Sequence, residues 1–443
     1  MLNLFLIIIT MAFLMWAVFK GLNSVVACTI TAMLVCLVSG LPLLTTMTDD
    51  FVNGMLFIFT MMLLKFLAAN IFGQLYTVSG AALSISHFFR NIFMRKATGF
   101  KKKIITLYVF MAIAIIFGFG GLETFVCIFT LLPVGMAMFR EADIPRRLLP
   151  ATLMAGVSAA VCSPGTPLTN GNILAGAFFG TPTTAGLIPG LVGVVVVIAL
   201  DCLYLYRAVK KAEDGNEHFD VGQTKIQEAN EERALPNPLI AFIPLLMVAV
   251  MTMIFQITLE AALFAGICLA AILLAPHISD RERKIKPYVE LAGNGANQAS
   301  IIIIFMVAQM GLASVVQLTD GFAFISNAFT SMPVPPIIQF SSAASLTGFL
   351  AGNAITGIQF SADIFLPIAD SIGISAGAMH RISCFAVSIL DTVPINGAVI
   401  SALFTCGLTH KQGYFPIFVT TLLNIFVGLS VVVAMLMLFP WMG

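Results

Sequence analysis

Residues 118–124 read Gly118-Phe119-Gly120-Gly121-Leu122-Glu123-Thr124, and residues 352–357 read Gly352-Asn353-Ala354-Ile355-Thr356-Gly357. Each interrupts an apolar run with small and polar residues. A second interruption follows in each half: Ser163-Pro164-Gly165-Thr166-Pro167 with Thr169-Asn170, then Asp391-Thr392-Val393-Pro394-Ile395-Asn396-Gly397. Gly120 and Gly352 are separated by the same interval as Thr124 and Thr356, and Pro164 and Pro394 by two positions fewer. Lipid cannot satisfy open backbone, so interrupted apolar segments persist only where they line protein or a cavity. Interruptions at corresponding positions of two halves point to the binding site of a secondary transporter.

Composition sets the class. The 443 residues are 59% hydrophobic and 10% charged, where a soluble domain carries roughly 25% charged residues. Mean hydropathy is +1.01. The chain reads as an all-α polytopic membrane protein, with the lipid bilayer as its main partner. A net charge of +1 and the absence of a basic face give no nucleic-acid surface. The eight cysteines form no CxxC and lie near no histidine at a metal-ligand spacing. They read as small buried apolar residues, and no metal is expected. The apolar start, 2–19, lacks a basic n-region and a small-residue cleavage site, so it reads as a retained span.

Apolar runs long enough to cross, roughly 17–25 residues, fall near 2–19, 22–44, 55–78, 148–179 and 186–206. A second set falls near 238–258, 261–276, 297–318, 380–407 and 414–438. Each half also holds an apolar–Gly–apolar unit, 104–139 and 334–369, whose arms are short for a crossing and suit a re-entrant hairpin. Five spans per half is odd, so the second half runs with opposite orientation. The expectation is an inverted repeat of five transmembrane spans plus one re-entrant hairpin each. The first repeat is 1–208, with scaffold spans in 1–78, hairpin 104–139 and broken span 148–179. A polar cytoplasmic linker, 209–237, reads as flexible. The second repeat is 238–443, with hairpin 334–369 and broken span 380–407.

Charge gives a separate argument for this topology. Of the 22 Lys and Arg, all but Lys65 and Arg381 fall on one side: Lys20, 90–103, 140–147, 207–233, 281–286 and Lys411. The other side receives Asp49, Asp50, Glu260 and Asp320. The positive-inside rule makes the basic side cytoplasmic and both termini extracytoplasmic, in a cell (inner) membrane. The basic, Phe-rich stretch 81–103 suits a helix lying along the inner interface.

Three groups of residues carry candidate chemistry. At the hairpin tips, Gly120, Gly121 and Gly352 allow close backbone approach, and Glu123, Thr124, Asn353 and Thr356 add polar groups. Half-helices starting there aim N–H groups and positive dipole ends at an anion; alternatively, the glycines serve helix packing. In the broken spans, prolines forbid regular helix. Freed groups at Ser163, Gly165, Thr166, Asn170, Thr392 and Asn396 can bind a cation or a substrate hydroxyl, the alternative being a kink satisfied by water. Among intramembrane ionisable groups, functional by default, stand Lys65, Glu123, Asp363, Arg381 and Asp391. Glu123 or Asp391 can carry a coupling proton if desolvated, though Asp391 can instead cap a half-helix. Arg381 is expected to snorkel, and Lys65 to pair with a carboxylate the sequence does not identify.

No Walker loop, Rossmann fingerprint, HExxH or triad-like histidine is present, so the chain does not read as an enzyme and no cofactor is expected. The stretch Phe139-Arg140-Glu141-Ala142-Asp143-Ile144-Pro145-Arg146-Arg147-Leu148-Leu149-Pro150 resembles the segment after the first hairpin of gluconate permease-type (GntP) transporters, especially their hydroxybutyrate-permease-like branch. So do 163–167, 390–400 and Cys406-Gly407-Leu408-Thr409-His410-Lys411-Gln412. Two departures stand out: Ile395 holds a place often occupied by His, and Glu123 lies where a neutral pattern is expected. The resemblance implies the ion-transporter superfamily fold, a scaffold and a transport domain moving as an elevator, commonly as a homodimer. It further implies proton-coupled symport of a small organic anion, a sugar acid such as gluconate or a short hydroxycarboxylate such as 3-hydroxybutyrate. Sodium (Na+) in place of H+ is the alternative coupling ion, and an anion channel or a non-transporting membrane protein the alternative class.

Overall fold

The computed structural model describes the chain except residues 1–8, 11, 15, 18–19, 21, 82–83, 86–87, 89–91, 93–96, 120–123, 166–169, 221–234, 254, 256, 279–285, 352–353, 391 and 395. Among the described residues the regular structure is helical throughout, with no strand. In the first half the main helices are α1 (Ser24–Ser39), α2 (Val52–Val78), α3 (Gly99–Phe119), α4 (Thr124–Glu141), α5 (Leu149–Cys162), α6 (Asn170–Phe179) and α7 (Leu187–Asp214). In the second half they are α8 (Pro238–Met253), α9 (Leu259–Leu273), α10 (Lys286–Gln317), α11 (Asp320–Thr330), α12 (Pro336–Ala351), α13 (Ala354–Phe365), α14 (Ala376–Leu390) and α15 (Gly397–Thr405). A long helix, α16 (His410–Leu438), closes the chain and carries one π turn at Phe418–Leu423.

Local chemistry accounts for the boundaries. Asn23 caps α1 by accepting the Val25 N–H, and Gly40 ends it in the left-handed conformation. Pro150 stands in the first turn of α5, where a missing N–H costs nothing. Pro416 lies just before the π turn of α16, and the Thr420 hydroxyl donates back to its carbonyl at 3.1 Å.

Three described helices are long and apolar enough to cross a membrane: Gly99–Phe119, Leu187–Asp214 and His410–Leu438. Shorter apolar helices lie at Val25–Ser39, Leu63–Val78, Pro238–Val248 and Glu260–Leu273. The hairpin arm α3 is therefore longer than the arm expected from 104. It extends back through Lys101–Lys103 because its lysines find acceptors: Lys102 Nζ donates to the Glu141 carbonyl at 2.8 Å, and Lys103 pairs with Asp143 and Glu213. Helix α10 likewise begins well before 297. In stretch 81–103, residues 82–83, 86–87, 89–91 and 93–96 lie outside the described residues, and 99–103 belong to α3.

Packing is repeated between the halves. Helix α3 packs on α4 and α5, as α12 packs on α13 and α14. Helix α4 meets α15, the continuation of the second half's broken span, while α13 meets α6, the continuation of the first half's. Helix α1 lies on α10 as α9 lies on α2, and α5 on α7 as α14 on α16. The equivalent pairs α2–α10 and α7–α16 meet each other directly.

Close approach at α2–α10 depends on glycine. A Cβ at Gly54 would strike Ser314 and stand 2.7 Å from the Met310 carbonyl, and one at Gly311 would stand 2.8 Å from that of Phe51. Small residues at helix contacts are how membrane bundles gain dispersion without a hydrophobic driving force. Lys65, near the middle of α2, has its Nζ 3.8 Å from Glu260 Oε1 at the start of α9, which supplies the carboxylate the sequence left unnamed. Around the second hairpin, Phe340 meets Phe365 edge-on at 5.2 Å and Phe179 at 6.0 Å. Those rings join α12, α13 and α6. None of the eight cysteines forms a disulfide.

The basic segments of the first half converge at one end of the molecule. Arg147 binds Glu217 through two hydrogen bonds, Arg146 approaches Asp220 at 3.5 Å, and His218 Nδ1 lies 2.7 Å from Asp143 Oδ2. Helix α7 runs on to Asp214, so the polar stretch beginning at 209 is ordered at least to residue 220.

Candidate functional site

The first broken span stops at Ser163, whose backbone turns to an extended conformation. Its hydroxyl donates to the Ala159 carbonyl at 2.9 Å. Ending a helix leaves its last carbonyls without intrahelical donors, and here other elements supply them. The Asn172 amide donates to the carbonyls of Ser163 at 3.1 Å and Val161 at 3.5 Å. Arg381 donates from Nη1 to the Cys162 carbonyl at 3.1 Å. The rest of its guanidinium holds loop 181–186: Nε and Nη2 reach the Ala185 carbonyl at 3.0 and 2.9 Å, and Nη2 reaches that of Thr183 at 3.0 Å.

Arg381 is fully buried. The expectation that it snorkels is corrected: its fork is matched by carbonyls of the first half, so the charge has no reason to reach for the membrane surface. Glycine keeps the space open. A Cβ at Gly186, whose φ is +59°, would stand 2.7 Å from Arg381 Cβ, and one at Gly190 would stand 2.8 Å from Arg381 Cδ. Gly165 takes φ +77° and donates its N–H to the Thr183 carbonyl at 3.0 Å, fastening the break to the same loop.

His380, also fully buried, extends this network. Its Nε2 lies 3.2 Å from Asn172 Oδ1 and its Nδ1 2.7 Å from Thr181 Oγ1. With the amide oxygen accepting, Nε2 carries the hydrogen and Nδ1 accepts from the threonine, which is a neutral imidazole. Helix α14 therefore locks the first half's break in place.

The second break is built in parallel. Asn396 caps α15, its Oδ1 accepting from Ala398 at 2.7 Å and Val399 at 3.4 Å. The carbonyls freed around Pro394 are again taken by another helix: His410 Nε2 meets the Pro394 carbonyl at 2.7 Å, and the Tyr414 hydroxyl donates to that of Thr392 at 3.2 Å. Helix α15 is buried from Gly397 to Leu403, with its positive end directed into the break.

Of the residues singled out in the sequence, Ser163, Gly165, Thr392 and Asn396 lie in the two breaks. Thr124 opens α4 and is partly buried. Asn170 and Thr356 fall in the first turns of α6 and α13, with side chains outside the described residues. Gly120, Gly121, Glu123, Thr166, Gly352, Asn353 and Asp391 lie outside the described residues. Helix α14 relates the two breaks: its first turns carry His380 and Arg381 against the first, and its last residue leads into the second.

Several polar groups escaped the sequence reading: the buried Asn172 and His380 with the half-buried Thr181, then the buried Asp201 on α7 and Asn424 on α16. Asn424 Nδ2 donates to Asp201 Oδ1 at 2.7 Å, and Asp201 is 1% exposed. Its signal is plain in the sequence, a lone acid in the run Val194–Leu205. His380-Arg381 shows a similar signal, two polar residues opening an apolar helix.

Buried polar groups hold two interrupted helices, one pinned by the other half and one by the final helix, in a membrane protein whose described regular structure is helical. No protein-family model matches this chain. It is similar to a Bacillus subtilis (strain 168) protein named Uncharacterized transporter YxjC, 26% identical over 95% of this chain and 96% of that one.

Proposed function

We propose that this protein is a secondary active transporter for a small organic anion, a sugar acid such as gluconate or a short hydroxycarboxylate such as 3-hydroxybutyrate, driven by proton symport. The observation that carries the reading is the exchange of partners between halves: the hairpin helix α4 meets the broken-span helix α15, and α13 meets α6. In this reading two hairpins, each facing the other half's interrupted helix, enclose one central site with a gate on each side. That is the requirement of alternating access. A continuous pore needs no such pairing. The similarity to a protein named as a transporter supports the class, and the gluconate permease-type motifs support the substrate.

In this reading the carboxylate sits on backbone N–H groups at Gly120, Gly121 and Gly352, with Asn353, Thr124 and Thr356 beside it. Ser163, Gly165, Thr166, Asn170, Thr392 and Asn396 meet the hydroxyls, and Glu123 or Asp391 exchanges the proton. The halves form an inverted repeat that moves as an elevator, in a homodimer of the inner membrane with both termini extracytoplasmic.

Uptake into proteoliposomes tests this directly. Radiolabelled gluconate, 3-hydroxybutyrate, lactate and glycerate are offered under an inward proton gradient, an inward sodium gradient, or neither. The expected result is saturable, uphill uptake of one acid under the proton gradient. Stimulation by sodium alone reassigns the coupling ion, and uptake of none removes this substrate class.

A further inference from the structure

The buried acid Asp201 has no part in the site described above. It lies on α7, faces α16, and has a single bond, accepted at Oδ1 from Asn424. Its other oxygen, Oδ2, is buried without a hydrogen-bond partner. The groups around it leave the acid uncompensated. Cys202 follows it in the chain, and the Cys162 thiol is close enough to interact electrostatically. From α3, Tyr108 donates to the Cys202 carbonyl, and Lys103 is occupied by Asp143 and Glu213. The guanidinium of Arg381 lies beyond Cys162, on that residue's carbonyl. The ionisable side chains of α16, His410, Lys411 and Tyr414, stand three to four turns before Asn424.

A carboxylate left with one amide donor in an apolar bundle is expensive, and a proton removes the charge. Asn424 follows immediately on the π turn Phe418–Leu423, a place where the ladder is already loosened. The pair also joins α7 to α16, the two helices that are each other's equivalents and that meet across the halves. A change of charge there acts directly on a contact between the two halves.

We propose that Asp201, hydrogen-bonded by Asn424, is a second proton-binding site that loads and releases a proton in each transport cycle, in addition to the one exchanged at Glu123 or Asp391, so that uptake is driven only when both sites turn over. The proton binds Asp201 as carboxyl and leaves as a hydrogen ion, with no other bond made or broken. The role in a cycle rests on the proton-coupled reading above, whereas proton exchange by Asp201 itself does not.

The tests separate the two. In proteoliposomes Asp201→Asn is expected to lose accumulation driven by the proton gradient, down to the level seen without one, while counterflow exchange of labelled for unlabelled substrate persists. Accumulation equal to the wild type overturns the proposal. If that variant fails to fold, Asn424→Ala leaves the acid but removes its donor, and the pH profile of uptake is expected to shift; an unchanged profile overturns the proposal. If the wild type shows no proton-driven uptake, the coupled reading fails and infrared difference spectra decide the site. On alkalinisation the wild type is expected to lose a protonated-carboxyl band that Asp201→Asn lacks, and an identical band in both proteins refutes proton binding at Asp201.

Discussion

Arg381 shows how a single side chain can be read wrongly from its neighbourhood in sequence. An arginine near the start of an apolar helix normally reaches for the surface, but this one donates to Cys162, Thr183 and Ala185 instead. None of those partners has a side-chain signature, because all three contribute carbonyls, and they lie in the other half of the chain. Only the fold reveals them. Arg381→Lys keeps the charge but cannot reproduce the fork. It is expected to destabilise the protein by about 3 kcal/mol or more, since hydrogen bonds to charged groups are each worth roughly 1.5–3 kcal/mol. A melting curve in detergent reads the loss, and an unshifted midpoint shows that the carbonyls find other donors. Asp201 teaches the opposite lesson: an acid inside an apolar run is visible without a structure.

At the scale of elements the sequence was informative where the cause of structure is local. Both broken spans break where Pro164 and Pro394 lie, and both hairpin units resolve into helix pairs, because proline, glycine and apolar runs act on their own surroundings. Helix length was less legible. Helices α3 and α10 extend beyond the apolar runs that revealed them, and for α3 the reason is long-range, carboxylates that receive its lysines. The glycines of α2 and α10 did not stand out either, since small residues are common in membrane helices and only the contact shows which ones matter. Gly311→Leu drives a side chain into the Phe51 backbone. Separation of α2 from α10 is expected, read as a lower melting temperature and faster proteolysis, and a fully stable variant would mean that the helices slide past one another without cost.

Over the whole molecule, the paired interruptions were legible because glycine and proline mark each of them locally, while the packing of α4 on α15 and of α13 on α6 was not. The ordering of 215–220 was not legible. That stretch is as polar as the linker that follows, and its order comes from ion pairs with 143–147. Burial pushes the Asp143 carboxyl upward, but the Phe219 N–H, His218 and Lys103 outweigh it and hold the group below its ordinary value of 3.8. A carboxyl lowered by folding contributes its full stabilisation above that ordinary value and loses it as the pH falls through the lowered one. Amide exchange at Phe219 is therefore expected to remain protected at neutral pH and to accelerate in acid below 3.8. Exchange that does not respond to acid would show that the Asp143 carboxylate does not hold the segment.

The reach of Arg381 also has a consequence for how the chain is made. The Cys162 carbonyl and its donor are 219 residues apart. A ribosome adding about 5–20 residues per second needs roughly 10–45 s to cover that interval. Throughout that time the newly inserted first half holds an unfinished helix end inside the bilayer, where no water replaces the missing guanidinium. The nascent half must wait in a partly hydrated or chaperoned environment, and a chain released before residue 381 is a natural substrate for membrane quality control.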